Sequence, residues 1–155
     1  MRRSDREVTG FNDIVDILNR ADTIRIGLHN TPYPYVVPVS FGFEAADGKI
    51  EIYFHGAKVG LKHDLIANNP NVCVEADIFH NYAEVSDGLT VVYESFIGFG
   101  IAELVCGGEA AKGIDFLLLH CGYTGFAYDH SELDVTAVYR ITLESFTGKR
   151  RFIDH

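Results

Sequence analysis

The sequence predicts a mainly β fold, a six-stranded antiparallel sheet curled into a barrel, with about three helices beside it. Six segments of strand length are rich in β-branched and aromatic residues, several of them alternating apolar with polar positions. Tight-turn signals at Asp47-Gly48 and Ser86-Asp87-Gly88 join successive strands directly. Helical patterns do not alternate regularly with the strands, as a doubly wound parallel sheet would need. Closing such a sheet into a small barrel removes its exposed edges.

The elements follow in order. Phe11, Ile14, Val15 and Leu18 recur at helical spacing and predict a helix over 11–20. Residues 23–29 alternate as a strand with one buried face, and Thr31-Pro32-Tyr33-Pro34 ends it because proline donates no ladder bond. A second strand covers 35–43, and Asp47-Gly48 turns it into a third over 49–55. A helix over 58–68 stops at Asn68-Asn69-Pro70. Strands over 71–79 and 90–105 come next, and Gly98-Phe99-Gly100 marks a bulge or bend in the latter. Residues 109–120 read as a helix with Ile114, Leu117 and Leu118 on its apolar side, and 135–143 as the last strand.

At 155 residues the chain is one domain with room for a core. Thirteen basic against 22 acidic residues give a net charge of −9, which disfavours a nucleic-acid footprint or docking on an anionic membrane. No run of about 18 apolar residues occurs, and the basic start Met1-Arg2-Arg3-Ser4 leads into charge rather than a signal sequence. The expectation is a soluble cytoplasmic protein. Cys73, Cys106 and Cys121 are odd in number and widely spaced, and read as buried free thiols. The seven histidines form no HxxH, HxxxH or HExxH pattern, so no metal site is expected.

The chemistry gathers in Tyr53-Phe54-His55-Gly56-Ala57-Lys58-Val59-Gly60-Leu61-Lys62. A strand enters a glycine-spaced turn, and the turn opens a helix carrying two lysines. Backbone amides at a helix start favour an anion. With Lys58 and Lys62 both helical, their mutual repulsion and the macrodipole disfavour them slightly, and a phosphate between them reverses both effects. The plainer alternative is two solvated lysines. Arg25, among apolar strand neighbours, offers a fork for a carboxylate or phosphate, or else faces solvent. Most of the aromatics Tyr33, Tyr35, Phe41, Phe43, Tyr53 and Phe54 read as core, and some as flanks for a planar ring.

Taken together, Arg25-Ile26-Gly27, Tyr35-Val36-Val37-Pro38-Val39, Ile52-Tyr53-Phe54-His55-Gly56-Ala57-Lys58, Gly60-x-Lys62 and Asn69-Pro70 resemble the pyridoxamine 5′-phosphate oxidase-like split-barrel flavoproteins. The nearer likeness is to their nitroimidazole-resistance branch. Glu94-Ser95-Phe96-Ile97-Gly98-Phe99-Gly100 and Thr147-Gly148-Lys149-Arg150 continue it along the chain. The resemblance implies a Greek-key split barrel and a homodimer with FMN in each of two clefts between subunits. It implies that Arg25 and Lys62 hold the phosphate with Lys58 helping. Val37, Pro38 and Val39 would then lie along the flavin ring, and Phe54, His55 and Gly56 would border it. His55 becomes the candidate catalytic residue, orienting a small electron-poor substrate such as a nitroaromatic or giving it a proton. Arg150 or Arg151 would reach the neighbouring cleft. The chain has no tryptophan, whereas the oxidases proper carry one near the C-terminus, so oxidation of vitamin B6 phosphates is not expected. The same resemblance admits a flavin carrier or sensor without turnover, and related barrels take haem or a deazaflavin.

Overall fold

The computed structural model describes residues 3–128, 131 and 135–153; Met1 and Arg2 of the basic start lie outside them. Among the described residues eight strands form one antiparallel sheet: β1 (Glu7–Val8), β2 (Ile24–Leu28), β3 (Tyr35–Val39), β4 (Gly42–Ala46), β5 (Lys49–Ala57), β6 (Asn71–Val85), β7 (Gly88–Val105) and β8 (Thr136–Arg151). Helices α1 (Phe11–Arg20), α2 (Leu61–Asn68) and α3 (Gly107–His120) pack around it. The mainly β class and the three helices are as the sequence predicts. The strand count is eight rather than six. One addition is β1, which pairs with β8. The other arises because the segment 35–43 breaks at Ser40-Phe41, where Phe41 turns fully into the core.

The strand order is β3-β2-β6-β7-β8-β5-β4, so β3 and β4 are the two ends of the ladder. Yet only Ser40 and Phe41 separate Val39 from Gly42. Three residue steps reach at most ~11 Å, which forces the two edges close together. The sheet therefore curls into a barrel joined at the seam by the chain and not by hydrogen bonds. That is a split barrel.

Inward positions of the strands, among them Ile26, Ile52, Phe54, Val74, Phe96 and Ile141, make the core. Ile14, Ile17 and Leu18 of α1 join it from one side. On the outer face of β5 the Tyr53 ring stacks on Phe116 of α3, with centroids 5.6 Å apart. Two irregularities shape the long strands. The β6–β7 register shifts between Phe79 and Asn81, leaving His80 without a ladder partner. The predicted bulge at Gly98-Phe99-Gly100 is present, but the extra residue is Glu144 on the facing strand β8. A Cβ on Gly100 would lie 2.2 Å from the Thr142 carbonyl oxygen, so the crossing closes only over glycine.

The expected helix over 58–68 starts three residues later, at Leu61. Gly60 has φ +116°, a conformation that a helix cannot include and that favours glycine. The cysteines also differ from expectation. No disulfide joins them, but only Cys73 is half-buried, while Cys106 and Cys121 flank α3 in exposed positions. Among the described residues no helix is long and apolar enough to cross a membrane.

Candidate functional site

Strand alternation on β5 sends Phe54 into the barrel and His55 to the outer face, and brings Gly56 back to the inner side. Residues 58–60 then bend, and α2 begins. Lys62, in the first helical turn, returns its side chain over the strand it has just left. Its Nζ stands 2.8 Å from where a Cβ on Gly56 would be and 5.3 Å from the centroid of the Phe54 ring. Any side chain at position 56 would displace this ammonium.

The electrostatics set Lys62 apart. Burial lowers its pKa. Among the described residues it makes no hydrogen bond or ion pair. Arg20, Arg25, Lys112, Arg140 and Arg150 all have acidic partners. Beside it, α2 opens at Gly60 with no side-chain cap. The amides of its first turn have no intrahelical acceptor, and the helix dipole adds positive potential there. A half-buried cation and uncapped amides converge where the backbone is bare.

His55 is close enough to feel this charge. Burial first and the Lys62 ammonium second push its imidazole pKa below the ordinary value of 6.5, so it is mostly neutral at pH 7. The aromatic neighbours form the floor. Tyr139 of β8 stacks on Phe54 with centroids 4.9 Å apart and planes 10° from parallel. The Tyr139 hydroxyl meets Nδ1 of His63, next to Lys62 on α2, at 2.5 Å.

The other predicted residues are placed as follows. Lys58 is exposed in the bend before α2, so the helical i,i+4 pairing with Lys62 does not arise. Arg25 projects from the outer face of β2, opposite Pro38 of β3 and Glu75 of β6. One of its terminal nitrogens donates to Glu75 Oε2 at 3.0 Å and Asp77 Oδ1 at 2.6 Å. No hydrogen bond, ion pair or ring contact links Arg25 to Lys62 among the described residues; one cation stands on the outer face of β2 and the other against the inner face of β5. Val37 and Val39 turn half-buried toward the core while Pro38 faces outward. Their strand, β3, is an edge of the ladder, so one side of its backbone is unpaired.

Arg150 belongs to a separate cluster. Its Nε donates to Glu94 Oε1 at 2.8 Å. Glu94 is completely buried and also receives Arg20, at 2.5 and 2.9 Å, and His80 at 3.0 Å. Burial alone would raise the Glu94 pKa, but these hydrogen bonds outweigh it and hold it at about 2. Sequence reading missed this cluster because its members come from α1, β6, β7 and β8 and share no local motif. The Tyr139–His63 bond was missed for the same reason. On the outer sheet face, a shallow hollow of 460 Å³ opens among residues that include Gly27, His29, Cys73 and Phe99.

The split barrel and this lysine-bearing turn define a class of protein. The sequence model described as pyridoxamine 5′-phosphate oxidase matches residues 12–150, and the chain belongs to that family. No curated protein matches the sequence. Among solved structures, the chain is similar to a candidate 5-nitroimidazole antibiotic resistance protein from Bacteroides thetaiotaomicron. The identity is 24% over 92% of this chain and 85% of that one, with a TM-score of 0.83. It is also similar to the flavocytochrome Anf3 from Azotobacter vinelandii, 17% identical over 100% of this chain and 75% of that one, with a TM-score of 0.80. A FAD-binding protein from Mesorhizobium loti is 18% identical over 95% and 98% of the two chains, with a TM-score of 0.66.

Proposed function

We propose that this protein binds FMN and uses it to reduce a small electron-poor compound, of which nitroaromatics are the class best supported. The observation that carries the reading is Lys62: a half-buried ammonium with no acidic partner among the described residues, above Gly56 and at an uncapped helix start, in a chain of net charge −9. A phosphate dianion suits that position, since it supplies the missing counter-charge and accepts from the α2 amides. The flavin-binding proteins of the same fold support the cofactor class, and the nitroimidazole-resistance relative supports the substrate class.

In this reading Lys62 and the first turn of α2 hold the phosphate. Arg25, on the outer face of β2, spends only one terminal nitrogen on Glu75 and Asp77, which leaves further donors for the flavin ring. The unpaired side of β3 around Val37, Pro38 and Val39 would lie along the ring and Gly56 would border it, with the buried Phe54 beneath. The bound flavin supplies hydride or electron transfer, and the protein supplies binding, orientation and charge. His55, neutral at working pH, donates or accepts a hydrogen bond at the substrate and holds a proton near the reducible group. A second copy of the chain completes the cleft.

Titration of the protein with FMN tests the reading. Lys62→Glu replaces attraction with repulsion and is expected to weaken binding more than tenfold, or about 1.4 kcal/mol. Unchanged affinity shows that Lys62 does not meet the phosphate. Turnover is tested separately, by reducing the flavin-loaded protein with dithionite and adding a 5-nitroimidazole without oxygen. Prompt return of the oxidised flavin spectrum supports the reductase; a flavin that stays reduced identifies a carrier or sensor.

A further inference from the structure

Helix α2 is weakly anchored for an element that has to place a charge. It has eight residues, too few to persist by itself. It has no side-chain N-cap, and Ile66 is its only fully buried residue. Its first turn nevertheless grips the barrel at two points. Lys62 lies over the Phe54 ring, and Nδ1 of His63 shares a hydrogen bond with the Tyr139 hydroxyl. Because Tyr139 is itself stacked on Phe54, these four side chains form a closed circuit: helix to ring, ring to ring, ring to helix.

Tyr139 is almost wholly buried, at 1% exposure, and among the described residues its hydroxyl has no hydrogen-bond partner but His63. A buried hydroxyl without an acceptor is costly, so the bond constrains the rotation of α2 about its axis. That rotation sets where the neighbouring side chain, Lys62, projects. We propose that Tyr139 and His63 are positioning residues for the phosphate site: their hydrogen bond fixes the first turn of α2 so that the Lys62 ammonium stands above Gly56. The inference rests on the reading of Lys62 as a phosphate ligand. It adds that the affinity of this lysine is set from the last strand, some 77 residues away in sequence.

FMN and riboflavin differ only in the phosphate, so the ratio of their affinities isolates what Lys62 contributes. Both are titrated into the wild type, Lys62→Gln, Tyr139→Phe, His63→Ala and the Tyr139→Phe/His63→Ala double variant, following the quenching of flavin fluorescence. Tyr139→Phe keeps the stacking ring and removes only the hydroxyl. It is expected to weaken FMN roughly three- to tenfold and to leave riboflavin unchanged. His63→Ala is expected to do the same, and the double variant to be no worse than either single one, because each change breaks the same bond. Should Tyr139→Phe not fold, His63→Ala on the helix surface carries the test alone. Equal losses for FMN and riboflavin, or an unaltered ratio while Lys62→Gln lowers it, overturn the positioning role. If Lys62→Gln itself leaves the ratio unchanged, the phosphate reading of Lys62 fails and the positioning role falls with it.

Discussion

At the scale of single residues the site turns on one unusual cation. A lysine at a helix start faces an unfavourable dipole, and a half-buried one loses hydration as well. Among the described residues Lys62 carries both burdens without a carboxylate to offset them, which is why we propose it as the ligand of an external anion. The coupling to His55 makes this measurable before any ligand is identified. The imidazole pKa is lowered by burial and by the Lys62 charge, so Lys62→Gln is expected to raise it part of the way back toward 6.5. The His55 ring proton resonance, followed by NMR across pH, reads this directly. An unmoved titration would mean that the two side chains do not share a field. The sign of the stability effect follows. Between the folded and the ordinary pKa the unfolded chain binds more protons, so the His55 contribution is present above pH 6.5 and is lost on acidification below it.

At the scale of elements, the Glu94 cluster ties α1 to three strands. The bulge at His80 turns that side chain out of the ladder and onto Glu94. Arg20, in the last turn of α1, pairs with Glu94 and Asp16 together. Glu94→Gln leaves two guanidinium groups facing a neutral amide and is expected to cost about 3 kcal/mol in urea denaturation at pH 7. The pKa of about 2 against an ordinary 4.5 fixes the pH window. The stabilisation is complete above pH 4.5 and fades as pH falls toward 2, so the gap between wild type and variant narrows over that interval. A constant gap would assign the loss to packing. These elements also show what the sequence could and could not tell. Periodicity placed α1 at its observed bounds, and Asp47-Gly48 marked the β4–β5 hairpin, because both signals are local. Gly60 is visible as a glycine, but its positive φ is not, so residue pattern alone starts α2 three residues early and puts Lys58 in the helix. The break at Ser40-Phe41 follows from barrel closure, and the partners of Glu94 from tertiary placement; neither leaves a trace in neighbouring residues. Within the site, the turn from Phe54 to Lys62 was legible as a motif, whereas the Tyr139–His63 bond required the fold.

At the scale of the whole molecule, the outer face of the sheet asks for a cover. Register places Val36 beside Gly27, Cys73 and Phe99, and Pro38 beside Arg25, Glu75 and Ile97. Val36, Ile97 and Phe99 are respectively 59%, 41% and 54% exposed, a concentration of apolar surface at the centre of a sheet. Charge is arranged around it with opposite signs. Glu75 and Asp77 lie on β6 to one side of β7, and Lys149 and Arg151 on β8 to the other. A two-fold rotation about an axis along β7 sets the acidic strand of one copy over the basic strand of its partner, with Ile97 and Phe99 between them. The occupant this pattern fits is a second copy of the chain, which agrees with the homodimer we propose. Arg25 shares this face, whereas Lys62 does not, so a cofactor reaching both would have to pass from the barrel end to the covered sheet. Phe99→Glu puts a charge at the middle of the contact while leaving the subunit core untouched. It is expected to give a monomer by light scattering, with the wild-type circular dichroism spectrum and a much weakened FMN titration. A variant that remains dimeric would place the pairing surface elsewhere, and a monomer that binds FMN at wild-type strength would show the flavin site to be complete within one subunit.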